Sequence, residues 1–331
     1  MKTMFNVLWL QSGGCGGCSL SLLNAESPDL MTRFKSTGIN MLWHPSLSEA
    51  SADEFIQVLN DIISGGIRLD ALCLEGSVMQ GPNGTGKFHI LAGTGKPMMT
   101  WLEELAEKAQ YTLAIGSCAA FGGITAAGSN PSDACGLQYD GKEVGGLLGA
   151  DWQSSRQFPV INVSGCPTHP DWVTDVLSQL AMGDLTRDQL DELNRPRNYT
   201  DHLVHHGCAR NEYYEYKASA EILGDIGCMM EHKGCIGTQA RADCNIRPWN
   251  GKGSCLDGGY PCINCTAPEF EEPRKSFTET SKIAGIPIGL PTDMPKAWFV
   301  ALASLSKAAT PKRLKDNATA SKIITSPGKQ D

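Results

Sequence analysis

Four of the thirteen cysteines follow short apolar segments, in positions that suggest one metal-cluster site. Cys15 and Cys18 lie in a glycine-rich turn after Val7–Leu10, whereas Cys118 follows TLAIGS and Cys166 follows VINVSG. Because ligands bind at the carboxyl ends of strands in an open α/β sheet, these side chains are expected to converge there. Four cysteines are the number that a cubane iron–sulfur cluster takes. A dithiol pair or half a zinc site fits CxxC alone, but zinc ligands usually form two close knuckles.

A second set of four possible ligands lies in the cysteine-dense region that follows. It consists of His205, Cys208, Cys228 and Cys235. A neutral imidazole in place of an anionic thiolate raises the potential of an iron–sulfur cluster, which suits a point where electrons enter or leave. A zinc site with three cysteines and one histidine is the alternative, and His206 is an alternative ligand that the HxxC spacing disfavours.

A third set of four cysteines forms another possible iron–sulfur site, with zinc again as the alternative. It consists of Cys244, Cys255, Cys262 and Cys265. Three complete sets in one chain favour an electron relay, because electron transfer needs closely spaced centres. Of the remaining cysteines, Cys73 is predicted to be a core thiol and Cys135 a thiol without a partner set.

The elements that must position the first set follow an α/β pattern over residues 1–185. Apolar runs alternate with segments of helical spacing, which predicts a mostly parallel, flavodoxin-like sheet. Strands are predicted at Val7–Leu10, Ile39–Trp43 and Leu69–Leu74 and before Cys118 and Cys166, and helices at Ala52–Ile63, Met98–Ala109 and Pro170–Met182.

Residues 186–275 are predicted to form a separate cluster-binding domain, irregular and mostly non-β. Their apolar periodicity is too weak for an ordinary core, so bound metal must help to organise them. Residues 276–331 are predicted to be an extended C-terminal tail with one short helix at Lys296–Lys307, and Ala308–Asp331 is predicted to be disordered.

Composition excludes several functional classes. A net charge of −8 argues against a nucleic-acid partner, and the longest apolar run, Ala297–Leu305, is half of what a bilayer span needs. No signal-peptide pattern or twin arginine precedes the first strand, so a cytoplasmic protein is expected. Metal ligation accounts for thirteen cysteines better than disulfides do in that compartment.

In combination and order, the motifs resemble the small, electron-transferring subunit of [NiFe] hydrogenases over about residues 5–270. They are LWLQSGGCGGCS, EG at Glu75, GSCAAFGG, GCPTHPDW, HxxC, WNG and PCINC. The resemblance implies that the first set holds the proximal cluster, the second the distal and the third the medial. It also implies an obligate large subunit that carries the Ni–Fe centre, so this chain would bind no nickel.

Two details of the resemblance bear on the clusters. Many relatives have proline at the fourth medial position and a [3Fe–4S] cluster there, whereas this chain has Cys255. Three [4Fe–4S] clusters are therefore expected. Glu75, near the proximal cysteines, is expected either to take part in proton movement or interface hydrogen bonding, or to cap a local backbone turn.

The subgroup follows from CGGCSLSLL, ARNEYYEYKASAE and GIPIGLPTDMPKAWFVALASLSKAATPKR, which are similar to cytoplasmic hydrogen-sensing (regulatory) hydrogenases. Those relatives signal to a histidine kinase. The alternative is a cytoplasmic uptake hydrogenase that feeds a respiratory acceptor, which is similar across NEYYEYKASAE and WNGxGSC. Its first motif, however, commonly lacks the cysteine found at Cys18.

The segment Ile283–Arg313 is predicted to dock on a partner, because it is too apolar to leave in water. Its apolar residues include Ile286, Ile288, Leu290, Trp298, Phe299, Val300 and Leu302. Pro287, Pro291 and Pro295 would hold its first half extended. The partner would be a sensor kinase or a further heterodimer, and packing on its own large subunit is the alternative.

Overall fold

The computed structural model describes residues 4–270, 277–283, 286–287 and 295–327. The chain divides into two compact units. The first consists of Met1–Asn198 with Cys265–Glu272, and the second of Tyr199–Asn264 with Pro273–Asp331.

The first unit alternates strands and helices. Its elements are β1 (Phe5–Gln11), α1 (Gly17–Leu23), α2 (Leu30–Thr37), β2 (Ile39–Trp43), α3 (Ala52–Ser64), β3 (Ala71–Glu75), β4 (Val78–Met79), α4 (Met98–Lys108), β5 (Tyr111–Ile115), α5 (Gly116–Phe121), α6 (Gly123–Ala126), β6 (Ala134–Cys135), β7 (Tyr139–Asp140), β8 (Glu143–Val144), β9 (Ile161–Val163) and α7 (Pro170–Met182). A 3₁₀ turn at Arg187–Gln189 follows, and α8 (Arg197–Thr200) begins in this unit and ends in the second.

The main sheet of this unit has five parallel strands in the order β2-β1-β3-β5-β9 among the described residues. This is the 2-1-3-4-5 order of flavodoxin-like folds, and it confirms the predicted α/β class. The register aligns Gln11 with Glu75, Glu75 with Ile115 and Ile115 with Val163. Four strands therefore end level at one edge, where the predicted ligands follow.

Capping residues and apolar faces define the helices that surround the sheet. α3 begins with a capping box between Ser51 and Glu54 and ends at Gly65, whose φ of 85° suits the left-handed conformation of a C-cap. α7 begins with Pro170 at its first position. Both helices bury one apolar face, α3 through Phe55, Leu59 and Ile62. The edge of the sheet is thus held by a well-packed core.

The second unit is mostly irregular. After a 3₁₀ turn at Val204–Gly207 its elements are α9 (Asn211–Glu215), α10 (Met230–Lys233), β10 (Lys282–Ile283), β11 (Ile286–Pro287), α11 (Lys296–Ala308) and α12 (Lys312–Ala318). The only strands within its described residues are the antiparallel pair β10 and β11. No described helix of either unit is long and apolar enough to span a bilayer.

The division between the units lies after Asn198, later in the chain than the predicted boundary at residue 185. Residues 186–198 belong to the first unit because they pack against its last main strand. Asn162 donates from its side chain to the Leu193 carbonyl at 2.8 Å. Arg195 forms a buried ion pair with Asp191 at 2.8 Å and donates to the Thr266 carbonyl at 2.9 Å.

The predicted disorder of Ala308–Asp331 is wrong for the part that the structure describes. α12 buries Leu314 completely and leaves Ala318 only 4% exposed, against Tyr213 and Ala218. The two apolar residues are four positions apart, so a short and otherwise polar helix can anchor itself through them. Residues 328–331 lie outside the described residues, as do Ile288, Leu290, Pro291 and the side chain of Phe299 in the predicted docking segment.

Candidate metal-cluster sites

The four cysteines of the first predicted set all lie beyond the aligned ends of the main sheet. Cys15 lies in the turn after β1 and Cys18 lies in α1, while Cys118 lies in α5 directly after β5. Cys166 follows β9. Cys118 and Cys166 lie close enough to Cys18 for their negative charges to raise the pKa of its thiol. The fold therefore brings these four residues to one edge, as the strand-end argument predicts.

Glu75 ends the central strand β3 between the strands that carry these cysteines and is 3% exposed. Its Oε1 accepts hydrogen bonds from the backbone N–H groups of Cys18 at 2.8 Å and Ser19 at 3.1 Å. Its Oε2 accepts from Ser19 Oγ at 2.5 Å, Gln11 Nε2 at 2.9 Å and Trp9 Nε1 at 3.2 Å. These are the contacts of a buried cap on the first turn of α1, which fixes the backbone of Cys18.

Two glycines lie directly beside cysteine sulfurs of the first set. A methyl group built on Gly116 would lie 2.5 Å from Cys18 Sγ, and one on Gly123 would lie 2.7 Å from Cys118 Sγ. Carbon atoms essentially never approach sulfur so closely, so only glycine leaves the space beside each sulfur open. This open space and the four-thiol donor set both fit an iron–sulfur cluster.

His44 is a buried residue of this region that the sequence pattern does not mark. Its ring packs on Trp9 with centroids 5.0 Å apart, and its Nδ1 accepts a hydrogen bond from Ser46 N at 3.0 Å. Burial lowers the pKa of His44 to about 4, although nearby Glu75 opposes the shift. The imidazole is therefore neutral at physiological pH. Its role could not be read from sequence because the residue directly follows β2, far from the cysteine motifs.

Replacing Glu75 with alanine is expected to lower the free energy of unfolding by roughly 3 kcal/mol or more, because buried donors lose a charged acceptor. Glu75→Gln keeps the shape but not the charge and should cost about half as much. Urea unfolding and iron content measure both effects. Glu54→Gln, in the exposed capping box of α3, is the control and should cost at most about 0.5 kcal/mol. A Glu75→Gln variant of unchanged stability but slower H2/D⁺ exchange would instead favour a role in proton movement.

The four residues of the second predicted set line one cavity. They are His205, Cys208, Cys228 and Cys235. His205 lies in the 3₁₀ turn, where its backbone N–H donates to the Gly237 carbonyl at 3.0 Å and its ring edge packs on Tyr214 at 4.5 Å. The neighbouring His206 is exposed and does not line this cavity. The structure thus brings together the ligands that the HxxC spacing favours.

Backbone N–H groups point at several of the sulfurs. Cys208 Sγ accepts from the N–H of Arg210 at 3.4 Å, and Cys228 Sγ accepts from that of Met230 at 3.5 Å. In each case the donor lies two residues after the cysteine. Such hydrogen bonds stabilise thiolate ligands and help to set the potential of an iron–sulfur cluster. The local backbone therefore fits a cluster in this cavity.

Arg210 is a second residue that sequence reasoning missed. It is 8% exposed, and its guanidinium donates to the carbonyls of Leu256 at 3.0 Å, Gly227 at 2.7 Å and Asp225. Burial lowers the pKa of Arg210, and the nearby cysteines of the second set oppose that shift. All of these acceptors are neutral carbonyls, and the groups whose negative charge acts on this buried cation are the cysteines of the second set and Asp257.

The members of the third predicted set are divided between the two units along the chain. Cys244, Cys255 and Cys262 belong to the second unit, where Cys262 Sγ accepts from the N–H of Asn264 at 3.4 Å. Cys265 belongs to the first unit, where its carbonyl accepts from Ser117 Oγ at 2.5 Å. The assignment of these four residues to one cluster stays a prediction.

The two remaining cysteines lie in the core of the first unit. Cys73 is fully buried in β3, and Cys135 is 4% exposed in β6, where its sulfur accepts from Gln80 Nε2 at 2.9 Å. Burial raises the pKa of Cys135 to about 11, so it is a neutral thiol. Cys135 is thus a packed core residue, although its polar surroundings in the sequence predict a loop.

The cysteine ligands need a nearby positive charge to ionise to thiolates. Burial is the main cause that raises the pKa of Cys18, and burial raises that of Cys228 to about 12. Iron supplies the charge that makes such thiols ligate as thiolates. No group of three or more histidine, cysteine, aspartate or glutamate side chains in the described residues is arranged around a single metal ion.

Comparisons with known families agree with the motifs. The family profile for the NADH ubiquinone oxidoreductase 20 kDa subunit matches residues 15–180. The profile for the C-terminal part of the NiFe/NiFeSe hydrogenase small subunit matches residues 200–278.

Individual relatives span most of the chain. The F420 non-reducing hydrogenase II small subunit of Methanosarcina mazei is 32% identical over 306 residues, which cover 85% of this chain and 77% of that protein. The periplasmic [NiFeSe] hydrogenase small subunit of Desulfomicrobium baculatum is 29% identical and covers 82% and 86%. In the Actinobacterial-type NiFe-hydrogenase from Ralstonia eutropha H16, the matching chain has a TM-score of 0.74 at 30% identity, covering 94% of this chain and 92% of that one.

Proposed function

The chain belongs to the family of [NiFe] hydrogenase small subunits, and we propose that it carries electrons for a cytoplasmic, hydrogen-sensing heterodimer. As such a subunit it is part of an oxidoreductase and pairs with a large catalytic subunit. Three [4Fe–4S] clusters, held by the three predicted sets, would supply one-electron carriers for electrons from the Ni–Fe site of that partner.

The observation that carries this proposal is the single cavity lined by His205, Cys208, Cys228 and Cys235. It is supported by the four cysteines at the aligned edge of the main sheet. The residues of the chain position these ligands. Glu75 holds the turn of Cys18, and Arg210 supplies a buried positive charge beside the second set.

Metal analysis tests the proposal. The purified heterodimer should contain about twelve irons in this chain, at four per cubane, with matching sulfide and no stoichiometric zinc. Stoichiometric zinc in place of iron at the second or third set would overturn the relay. The iron of the large subunit is subtracted by analysing that subunit alone.

The sensing role is favoured over uptake by the sequence similarity of the C-terminal segment and by Cys18, which the uptake relatives commonly lack. Native purification distinguishes the two. A sensor should co-purify with a histidine kinase whose phosphorylation responds to H2. An uptake enzyme should instead reduce a respiratory acceptor at a high rate.

Replacing Cys255 with proline should convert the medial cluster to a three-iron centre, with about one iron fewer per chain. The oxidised variant would then give an EPR signal that the wild-type protein lacks. Cys255→Ser is the matched control, because its hydroxyl can still serve as a ligand. A full three-iron signal in the oxidised wild-type protein would show that Cys255 is not a cluster ligand.

The exposed face of α11 is the part of the predicted docking segment that the structure describes best. Trp298, Leu302 and Leu305 are 67%, 51% and 67% exposed, and their spacing places them on one side of the helix. Ala303, on the opposite side, packs near Tyr214 and Met230. We expect the exposed side to contact the signalling partner or a further heterodimer.

Serine at Trp298, Leu302 and Leu305 should abolish higher assembly or kinase binding, while the heterodimer and its H2 oxidation persist. Size-exclusion chromatography and a pull-down with the kinase measure the effect. Ile323→Ser is the control, since Ile323 is 63% exposed and lies outside the helix. Loss of the large subunit from the triple variant would make the face an intersubunit contact instead.

A further inference from the structure

Cys265 is the member of the third predicted set that belongs to the first unit. The chain passes through the second unit and then returns to the first over Cys265–Glu272. The returning segment is well packed, since the side chains of Thr266 and Phe270 are buried. Backbone groups in a buried segment need hydrogen-bond partners within the protein. The partners of this segment show what holds Cys265 in place.

Ser117 joins the returning segment to the backbone that carries two ligands of the first set. Its hydroxyl donates to the Cys265 carbonyl at 2.5 Å and accepts from the N–H of Gly165 at 2.9 Å. Its own N–H donates to the Gly165 carbonyl at 2.9 Å. Ser117 directly precedes Cys118 in the chain, and Gly165 directly precedes Cys166. One buried hydroxyl thus links the backbone beside two first-set ligands with that of a third-set ligand.

The carbonyl of Thr266 is held by two further side chains. It accepts from Ser164 Oγ and from Arg195 Nη1, both at 2.9 Å. Both donors are buried, and Arg195 is itself paired with Asp191 at 2.8 Å. Ser164 lies two residues before Cys166, so this contact also ends beside a first-set ligand. Buried hydrogen bonds of this kind resist displacement, because breaking one leaves a polar group without its partner.

We propose that Ser117 is a positioning residue of the electron relay, whose hydroxyl holds Cys265 at a fixed separation from Cys118 and Cys166. Electron transfer falls off steeply with distance, so its rate depends on how firmly the ligands of neighbouring centres are held. The step that Ser117 serves moves one electron from the first set's cluster, which is oxidised, to the third set's cluster, which is reduced. This role rests on the proposed function, because it requires clusters at both sets.

Ser117→Ala removes both hydrogen bonds of the hydroxyl and should let the backbone of Cys265 move away from the first set. Reduced [4Fe–4S] clusters are paramagnetic, and neighbouring clusters split each other's EPR signals by an interaction that weakens steeply with distance. The splitting between the proximal and medial clusters of the fully reduced heterodimer should therefore narrow at unchanged iron content. Reduction of artificial acceptors should slow by about tenfold or more, as for loss of a partner that orients a metal ligand. H2/D⁺ exchange at the large subunit should be unchanged.

Two variants control for the chemistry of the substitution. Ser117→Thr keeps a hydroxyl at this position and should restore both the splitting and the rate. Ser178→Ala is the matched control for loss of a buried hydroxyl. Ser178 Oγ donates to the Thr174 carbonyl at 2.6 Å within α7, a helix that contains none of the predicted ligands. This control should match the wild-type protein in splitting, iron content and rate.

A milder variant keeps the test decisive if Ser117→Ala loses iron. Ser164→Ala removes one donor to the Thr266 carbonyl but leaves that of Arg195, so a smaller narrowing in the same direction is expected. Unchanged splitting in iron-replete Ser117→Ala, or in Ser164→Ala where Ser117→Ala loses iron, would overturn the positioning role. An equal effect in Ser178→Ala would overturn it too.

The wild-type protein tests the proposed function separately. Zinc in place of iron in the wild-type protein would remove the relay itself, and the role of Ser117 with it. Iron-replete wild-type protein with a splitting that Ser117→Ala leaves unchanged would remove only the role of Ser117.

Discussion

Replacing Gly116 with alanine should cost the protein its proximal cluster. Gly116 has a φ of 84°, and its new methyl group would lie 2.5 Å from Cys18 Sγ. The sulfur must move to relieve this overlap, and because Glu75 holds the backbone of Cys18 through the 2.8 Å hydrogen bond, it must do so by rotating the side chain away from its present position. We expect the iron bound by this chain to fall from about twelve to about eight atoms per molecule. Electron transfer from the large subunit to dyes should fall with it.

Gly65→Ala provides a matched control for the backbone effect. Gly65 has a φ of 85°, but a methyl group there would have no heavy atom within 4 Å. Both substitutions place alanine in the left-handed region, at a cost of about 1–2 kcal/mol. Only Gly116→Ala should also lose iron. Equal iron content in the two variants would mean that the space beside Cys18 Sγ is not needed for a cluster.

The ligand positions of the first set are predictable because they depend on strand ends alone. The strand Ile39–Trp43 and the helix Pro170–Met182 have the predicted bounds, and α3 and α4 differ from prediction by one residue at one end. Runs of apolar residues indicate buried parallel strands, and apolar residues at helical spacing indicate amphipathic helices. Since the carboxyl ends of parallel strands share one edge, convergence of Cys118 and Cys166 follows without knowledge of the packing.

The supporting residues are less predictable because their partners are distant in sequence. Trp9 donates to Glu75 across 66 residues, and nothing local to either residue signals that contact. Arg210 likewise reaches carbonyls up to 46 residues away. The predicted disorder at α12 fails for the same reason, because a polar segment is anchored by Leu314 in a cluster formed by another part of the chain. The residue composition of a segment does not show which part of the protein the segment packs against.

Charge explains why these hidden residues matter to the proposed relay. The carboxylate of Glu75 holds the α1 turn of the first set, whereas the guanidinium of Arg210 lies near the second. A nearby cation stabilises the reduced, more negative form of a cluster and raises its potential. A histidine ligand acts in the same direction. Both features of the second set therefore favour electrons collecting there.

His205→Ala should separate hydrogen activation from electron exit. Isotope exchange between H2 and D⁺ occurs at the metal site of the large subunit and needs no electron exit, so its rate should be unchanged. Reduction of artificial acceptors should slow by roughly tenfold or more, since removing even a partner that orients a metal ligand costs about 10–100-fold. The variant should also lose the ring contact with Tyr214 at 4.5 Å. Its unfolding free energy must therefore be measured alongside both rates.

His206→Ala is the control that the chain itself provides. His206 lies next to His205 in the same 3₁₀ turn, but it is exposed, and its Nδ1 accepts a hydrogen bond from Leu203 N at 3.3 Å. Its removal should change acceptor reduction by less than about twofold, as for surface substitutions worth at most about 0.5 kcal/mol. Equal losses of exchange and acceptor reduction in His205→Ala would indicate that the histidine serves folding. A slower acceptor reduction in His206→Ala alone would assign the ligand to His206, in a turn that has rearranged around the cluster.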